Sequence, residues 1–381
     1  MSEVVVTGFG VRTAFGRGAD ALRRGVFGGV PAFAPTTRFD TGPYRTPFAA
    51  TTGTDKPDLM RDVLGECTDE AVEMAGFTAR DDTAVLVGTS GDFAVLTRFW
   101  RGEAGVEAAD TVPAWQADLL AARIGASSGR RLAFTNACVA SAAAIIHACG
   151  LIASGRVSSA VCAGAYLVEE EVFAKFDSGR AMSRDGFVRP FSADRGGMLL
   201  GDGVATVVLE SAEAVRRRGG RPLAAVVGWG AGSDAYHVSR PHPDGAGLAA
   251  AAGRALRRAD DPDGLRIDYV NAHGTATKFN DPAETRGLRR VFGTRADQVP
   301  VSSTKSTTGH MLEAAGVVEF VITLLALTDG VLPPTANFTE ADPDCDLDYV
   351  PNVARDADVR RALNLNAAFG GVNTALVLER R

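Results

Sequence analysis

The chain has 381 residues, 46% of them hydrophobic and 23% charged, with a net charge of −6. That is enough apolar material for one large core or two fused medium ones, and it excludes a disordered or fibrous protein. The acidic balance and the lack of a long basic run speak against nucleic acid and a polybasic membrane anchor, so neither partner is expected.

The opening MSEVVVTGFG carries an acidic residue at position 3 and a short β-branched run, not the basic-then-apolar pattern of a secretory signal. The stretches Cys138–Ile152 and Val317–Leu327 are the most apolar. They are interrupted by His147 and Glu319 and are short for a bilayer span. A cytoplasmic location is expected.

In chain order, β-branched runs alternate with alanine-rich helical segments. They are VVVTGFG from Val4, a helix near Ala19–Arg24, TAVLVGTS from Thr83, the helix that follows Cys138, SAVCAGAYLV from Ser159 and ATVVLES from Ala205. This alternation predicts an α/β fold around a buried sheet. The helix after Cys138 is apolar nearly all round, which predicts an interior position.

The second half echoes the first. AAVVGWG from Ala224 resembles VVVTGFG, and GGVNTALVLER from Gly370 resembles DGVATVVLES from Asp202. The echo predicts a duplication into halves 1–215 and 222–381, although glycine-flanked strands also look alike without one. The halves would meet at RRRGGRP, Arg216–Pro222, and this segment and SRPHPDGAG, Ser239–Gly247, read as surface turns.

Five cysteines, an odd number with no CxxC pair, argue against a disulfide framework or a zinc site. Only four of the 40 basic residues are lysine (Lys56, Lys175, Lys278, Lys305), so each lysine position is informative.

Four stretches can carry chemistry. In TNACVASAAA, Cys138 stands at the start of a helix, where free N–H groups and the helix dipole favour a thiolate and can bring a thiol to roughly 3.5–7.5. A lone cysteine on an apolar helix also reads as a small buried hydrophobe. In VNAHGTATKFNDPAE a strand ends at His273 before a loop of hydroxyls, where α/β folds place sites. In VSSTKSTTGHMLEAAGVVEF a polar turn holds Lys305 and His310 leads into an apolar helix. There a lysine suggests a need for a compact ammonium. Glu319 lies nine positions past His310, half a revolution around a helix, so spacing does not set it beside that histidine. In LNLNAAFGGVNTALVLER the Phe369-Gly370-Gly371 turn lets backbone N–H groups approach a ligand, or is simply a tight turn.

One cysteine and two histidines in loops that each follow a strand suit acyl transfer. These motifs, in this order, resemble the β-ketoacyl-acyl carrier protein synthases (ketosynthases) of the thiolase fold across essentially the whole chain. HGTATKFNDPAE, STKSTTGH and RPFSADRGGMLLGDGVATVVLE, Arg189–Glu210, carry the resemblance most specifically.

The resemblance implies a duplicated five-layered α-β-α-β-α sandwich and a dimer, either a homodimer or a heterodimer with a ketosynthase-like chain-length partner. It implies an acyl group taken onto Cys138 from the phosphopantetheine of an acyl carrier protein. His273 and His310 would then promote decarboxylation of a malonyl thioester and hold the enolate. The oxyanion site would be the N–H groups of Cys138 and Phe369. Lys305 and its acidic partner Glu319 would orient the site. Thr275 and Thr277 would grip the pantetheine arm, with Met198, Ala367, Phe369 and Gly370 around the substrate. No redox cofactor or metal is implied.

Two departures stand out: ACVASA where many relatives are serine-rich, and Ala367-Ala368 ahead of the Phe369 turn. They imply an acyl pocket suited to an unsaturated or polyene chain. An elongating enzyme of type II polyketide synthesis is the leading reading, with a housekeeping fatty-acid enzyme beside it. A non-catalytic chain-length partner and a coenzyme A thiolase are the other readings. The first would lack the nucleophile, and the second would need a late second cysteine that Cys345 fits poorly.

Overall fold

The computed structural model describes residues 2–52 and 59–381, and Lys56 lies outside the described residues. Ten strands define the sheet: β1 Val4–Thr13, β2 Ala84–Gly88, β3 Arg131–Phe134, β4 Ser159–Tyr166 and β5 Gly203–Ser211. They continue with β6 Ala224–Ser233, β7 Tyr269–Asn271, β8 Val301–Ser302, β9 Arg361–Ala367 and β10 Val372–Arg380. Their order is β8-β7-β9-β10-β6-β1-β5-β4-β2-β3, and a two-residue strand, Gly16–Arg17, hairpins onto β1.

The order repeats. In the first half β1 and β5 pair antiparallel, as do β5 and β4, while β4–β2 and β2–β3 are parallel. The second half shows β6–β10 and β10–β9 antiparallel, then β9–β7 and β7–β8 parallel. The seam is three antiparallel pairs, Val4–Val226, Val5–Ala225 and Val6–Ala224.

Seven helices matter for the site: α1 Leu59–Ala75, α2 Pro113–Ile124, α3 Ala140–Ala153, α4 Glu170–Ser178, α5 Ala246–Arg258, α6 Asn280–Phe292 and α7 Ala315–Asp329. α1 and α2 cover the outer face of the first half-sheet, and α5, with α6 against it, covers that of the second. α3 and α7 lie between the half-sheets and touch each other and strands of both, giving five layers. Strands covered on both faces are mostly apolar, which is why β4 and β5 are buried from end to end, and the polar side chains they do carry, such as Thr206 and Glu210, are hydrogen-bonded.

The GFG and GWG echo has a packing cause. A Cβ on Gly8 or Gly10 would fall 2.1 Å from a carbonyl oxygen of α1, and one on Gly228 or Gly230 2.2 or 2.3 Å from a carbonyl oxygen of α5. Only glycine lets these helices lie on the strands so closely. The two central helices also rely on a small residue: a Cβ on Gly316 would come within 2.6 Å of the Ala142 nitrogen.

Local differences from the sequence reading are few. The helix at Ala19 is one turn, Ala19–Leu22, that continues as a wider turn over Arg23–Phe27. The strand before His273 ends at Asn271; Ala272 still donates its N–H to Ser302, and the N–H groups of His273 and Gly274 then turn to a buried carboxylate. The segment holding Lys305 is not an open polar turn but a fully buried helical turn, Lys305–Thr308. No helix among the described residues is long and apolar enough to cross a membrane.

Candidate active site

Cys138 sits in a 3-10 turn, Ala137–Val139, that runs straight into α3. Ala137 has φ of 54°, a left-handed conformation costing a non-glycine residue about 1–2 kcal/mol. Strain of this kind persists where surrounding structure over-determines it, and here it aims the next side chain. Cys138 lines a cavity of about 540 Å³. The helix terminus predicts a lowered thiol, and the structure corrects this: burial pushes Cys138 up to about 12. Glu313 adds to this, while Lys305 and the cysteine's own backbone N–H pull the other way. Desolvation outweighs the dipole because the charged form is the one that burial penalises.

His273 reaches the same cavity from the loop after β7. Its position is set by Glu284 on α6, whose two carboxylate oxygens accept the backbone N–H groups of His273 and Gly274, each at 2.7 Å. Burial pushes Glu284 up to about 7, against those two hydrogen bonds. His310 is fixed by its own backbone, with its N–H donating to the Leu199 carbonyl at 2.7 Å. The two imidazoles lie 5.2 Å apart, edge to face. Burial first, then Lys305, holds both well below the ordinary histidine value, so both are neutral N–H donors at pH 7. Each Nδ1 is buried without a hydrogen-bond partner among the described residues.

Lys305 and Glu319 are wholly buried and paired with each other. Glu319 Oε2 also accepts from Asn366 Nδ2 on β9 at 2.6 Å, so the ion pair is tied to the second half-sheet. Such a pair offers little net stability but holds its charges in one place. Glu319 contacts the lysine rather than the histidine, as its spacing left open.

At the Phe369 turn, the Ala368 N–H donates to Val372 and the Gly370 N–H to Val238, and the Phe369 N–H between them has no partner among the described residues. Thr275, Thr277, Met198, Ala367 and Phe369 all line the cavity with Cys138 and the histidines. Gly370, expected around the substrate, is not among the residues that line the cavity; it is exposed and its N–H is engaged by the Val238 carbonyl. The Thr275 and Thr277 hydroxyls are hydrogen-bonded to each other at 2.9 Å.

The three described lysines all belong to this region, Lys175 and Lys278 on the cavity wall and Lys305 buried behind it. Arg180 and Arg240 are exposed residues of the same wall, with Arg240 stacked on Phe279. The Ser239–Gly247 segment, read as a plain surface turn, contributes Ser239, Arg240 and Pro241 to that wall. Sequence reasoning also passed over Glu284 and Asn366. Glu284 lay inside a quoted motif, and the asparagines alternating in LNLNA were the signal for a buried polar strand face. An adjoining cleft of about 310 Å³, lined by Arg45, Arg180, Arg184 and Arg189 among others, holds none of the expected catalytic groups.

A cysteine on the central helix of one half, faced by two neutral histidines from the other, is an arrangement for carbon–carbon bond formation by acyl transfer, and the chain belongs to the β-ketoacyl synthase family. Residues 53–214 match the model of the β-ketoacyl synthase N-terminal domain and residues 223–339 that of the C-terminal domain. It is thus an acyltransferase of the ketosynthase type with the thiolase fold. The chain is 32% identical to 3-oxoacyl-[acyl-carrier-protein] synthase 2 of Coxiella burnetii, covering 99% of this chain and 98% of that protein. It is 34% identical to the tetracenomycin polyketide synthase ketoacyl synthase alpha subunit of Streptomyces glaucescens, covering 99% and 97%. Among solved structures, the ishigamide ketosynthase/chain length factor superposes with a TM-score of 0.91 at 32% identity, covering 100% of this chain and 99% of that one.

Proposed function

We propose that this enzyme elongates acyl chains on an acyl carrier protein by decarboxylative condensation in type II polyketide synthesis, with Cys138 as nucleophile. The observation that carries the reading is the convergence of Cys138, His273 and His310 on one cavity. Cys138 sulfur attacks a carrier thioester, the carrier thiol leaves, and the acyl group becomes a thioester of the enzyme. A malonyl thioester then loses carbon dioxide, and the electron pair of the broken bond becomes an enolate whose oxygen accepts N–H bonds from His273 and His310. The enolate carbon attacks the acyl-Cys138 carbonyl, whose oxyanion is met by the N–H groups of Cys138 and Phe369. Collapse expels the thiolate and leaves a β-ketoacyl chain on the carrier. Carbon dioxide loss drives the step, so the substrates need only their phosphopantetheine arms, for which Thr275 and Thr277 stand on the cavity wall.

The exposed Lys175, Arg180, Arg240 and Lys278 suit an acidic carrier. A dimer with a chain-length partner subunit goes with this reading, supported by the ketosynthase/chain length factor among its structural relatives. The halves 1–215 and 222–381 are proposed as the two thiolase-like units, supported by the repeated strand order. A cytoplasmic location, where thiols stay reduced, is supported by five unpaired cysteines.

A non-catalytic chain-length subunit is the weaker reading, because Cys138 and both histidines are present and converge. A thiolase reading is disfavoured by Cys345, which is buried in the same apolar cluster as Phe292 and Tyr349 and does not line the cavity. Intact-mass measurement after incubation with acyl carrier thioesters, with and without malonyl carrier, tests the proposal. Acyl-Cys138 should accumulate alone and discharge when malonyl carrier is added, and failure to load any acyl group would overturn it.

A further inference from the structure

The duplicated topology gives Cys138 a counterpart. Before α3, the 3-10 turn Ala137–Val139 begins with a left-handed Ala137 (φ 54°) and hands over to the helix at Ala140. Before α7, the 3-10 turn Leu312–Ala314 begins with a left-handed Leu312 (φ 40°) and hands over at Ala315. The residues correspond one to one, and Glu313 takes the place of the cysteine. The two turns pack against each other. Glu313 is only 8% exposed, and its Oε1 accepts from the Ser90 hydroxyl, just past β2 in the first half, at 2.5 Å. The condensation described above gives this carboxyl no role.

We propose that Glu313 is a positioning residue for the nucleophile: anchored by Ser90, its carboxylate stands beside the turn of Cys138 and keeps the sulfur in its neutral thiol form. This rests on the reading of Cys138 as the nucleophile. The charges around that sulfur are few. Lys305 is already engaged by Glu319, and His273 and His310 are held neutral by burial. Among the described residues Glu313 is then the charge without a fixed cationic partner, and after burial it is the strongest influence raising the thiol, ahead of the opposing pull of Lys305. Burial raises the Glu313 carboxyl above its ordinary value, while the Ser90 hydroxyl and the attraction of Lys175 pull it back toward the carboxylate; the neighbouring Tyr166 phenol has a buried hydroxyl without a partner among the described residues. A carboxylate here penalises a resting thiolate and so protects the cysteine from stray electrophiles and oxidants.

The test is alkylation of Cys138, located by peptide mass, using neutral iodoacetamide and anionic iodoacetate from pH 6 to 9. Glu313→Gln should speed iodoacetamide about tenfold at pH 7.5, the equivalent of one unit in the thiol. It should also raise the iodoacetate-to-iodoacetamide rate ratio several-fold, because a like charge has gone. Glu313→Asp, which keeps the charge, should retain the wild-type ratio. Unchanged rates in a Glu313→Gln protein of unaltered fold, or equal acceleration of both reagents, would overturn the proposal. Should that variant not fold, the wild-type ratio decides: it should lie several-fold below that of an unfolded Cys138 peptide, and equality sinks the idea. Carrier loading is scored separately, so failure to load with the expected alkylation pattern counts against the condensing reaction alone.

Discussion

The Ser141 hydroxyl, three residues past Cys138, accepts the backbone N–H of Val317 at 3.0 Å. The bond crosses from α3 to α7 and locks the first turn of one central helix to that of the other, where Gly316 allows close approach. Ser141→Ala would leave a buried N–H unsatisfied. It should cost about 1–3 kcal/mol, read as a lowered denaturant midpoint with unchanged m-value. Gly316→Ala should destabilise by a similar amount through overpacking.

Cys138→Ala should abolish acyl loading, seen by intact mass, while leaving the circular dichroism spectrum and melting temperature near wild type. Replacing either His273 or His310 by alanine should spare loading and block condensation. If both classes of variant lost loading equally, the division of labour would be wrong.

Loading and decarboxylation should depend on pH in different ways. With the Cys138 thiol pushed up to about 12, alkylation should climb about tenfold per pH unit from 6 to 9 without levelling. Both histidines lie well below their ordinary value, so malonyl decarboxylation should show no inflection near pH 6.5. An inflection there, absent from a His273→Ala or His310→Ala control, would contradict neutral donors.

Glu284 supplies a stability test with a defined sign. Its folded value of about 7 lies above its ordinary 4.5, so the folded protein binds the extra proton between those values. Stability from this group is present below 4.5 and is lost as pH rises toward 7. Glu284→Gln removes one of the two backbone acceptors and should lower stability and condensation while sparing loading. The melting-temperature gap to wild type should narrow from pH 5 to 7, and a widening gap would refute the assignment.

Small Ala367 and Ala368 line or flank the cavity ahead of the Phe369 turn. Polyunsaturated acyl carriers should load faster than saturated ones of equal length, and equal rates across a matched pair would remove the case for a polyene pocket.

The architecture was largely readable, because a strand covered on both faces is mostly apolar and a central helix is apolar nearly all round. VVVTGFG and AAVVGWG also announced their equivalence through the glycines their covering helices require. Cys138, His273, Lys305 and His310 were readable as a set by family likeness, although each alone had an ordinary packing explanation. What the sequence hid were partnerships over long separations. Glu284 under the His273 loop, Asn366 beside Glu319 and Ser90 against Glu313 depend on which loops the sheet brings together. The state of the Cys138 thiol was misjudged for a related reason: a helix terminus is visible in sequence, but the loss of water around it is not.

The sheet's two halves share order and pairing and are joined along only three residue pairs. The Cys138 side chain comes from one half and the two imidazoles from the other. Neither half carries both the cysteine and the histidines of the cavity, so a change in one set has no spare copy in the other half.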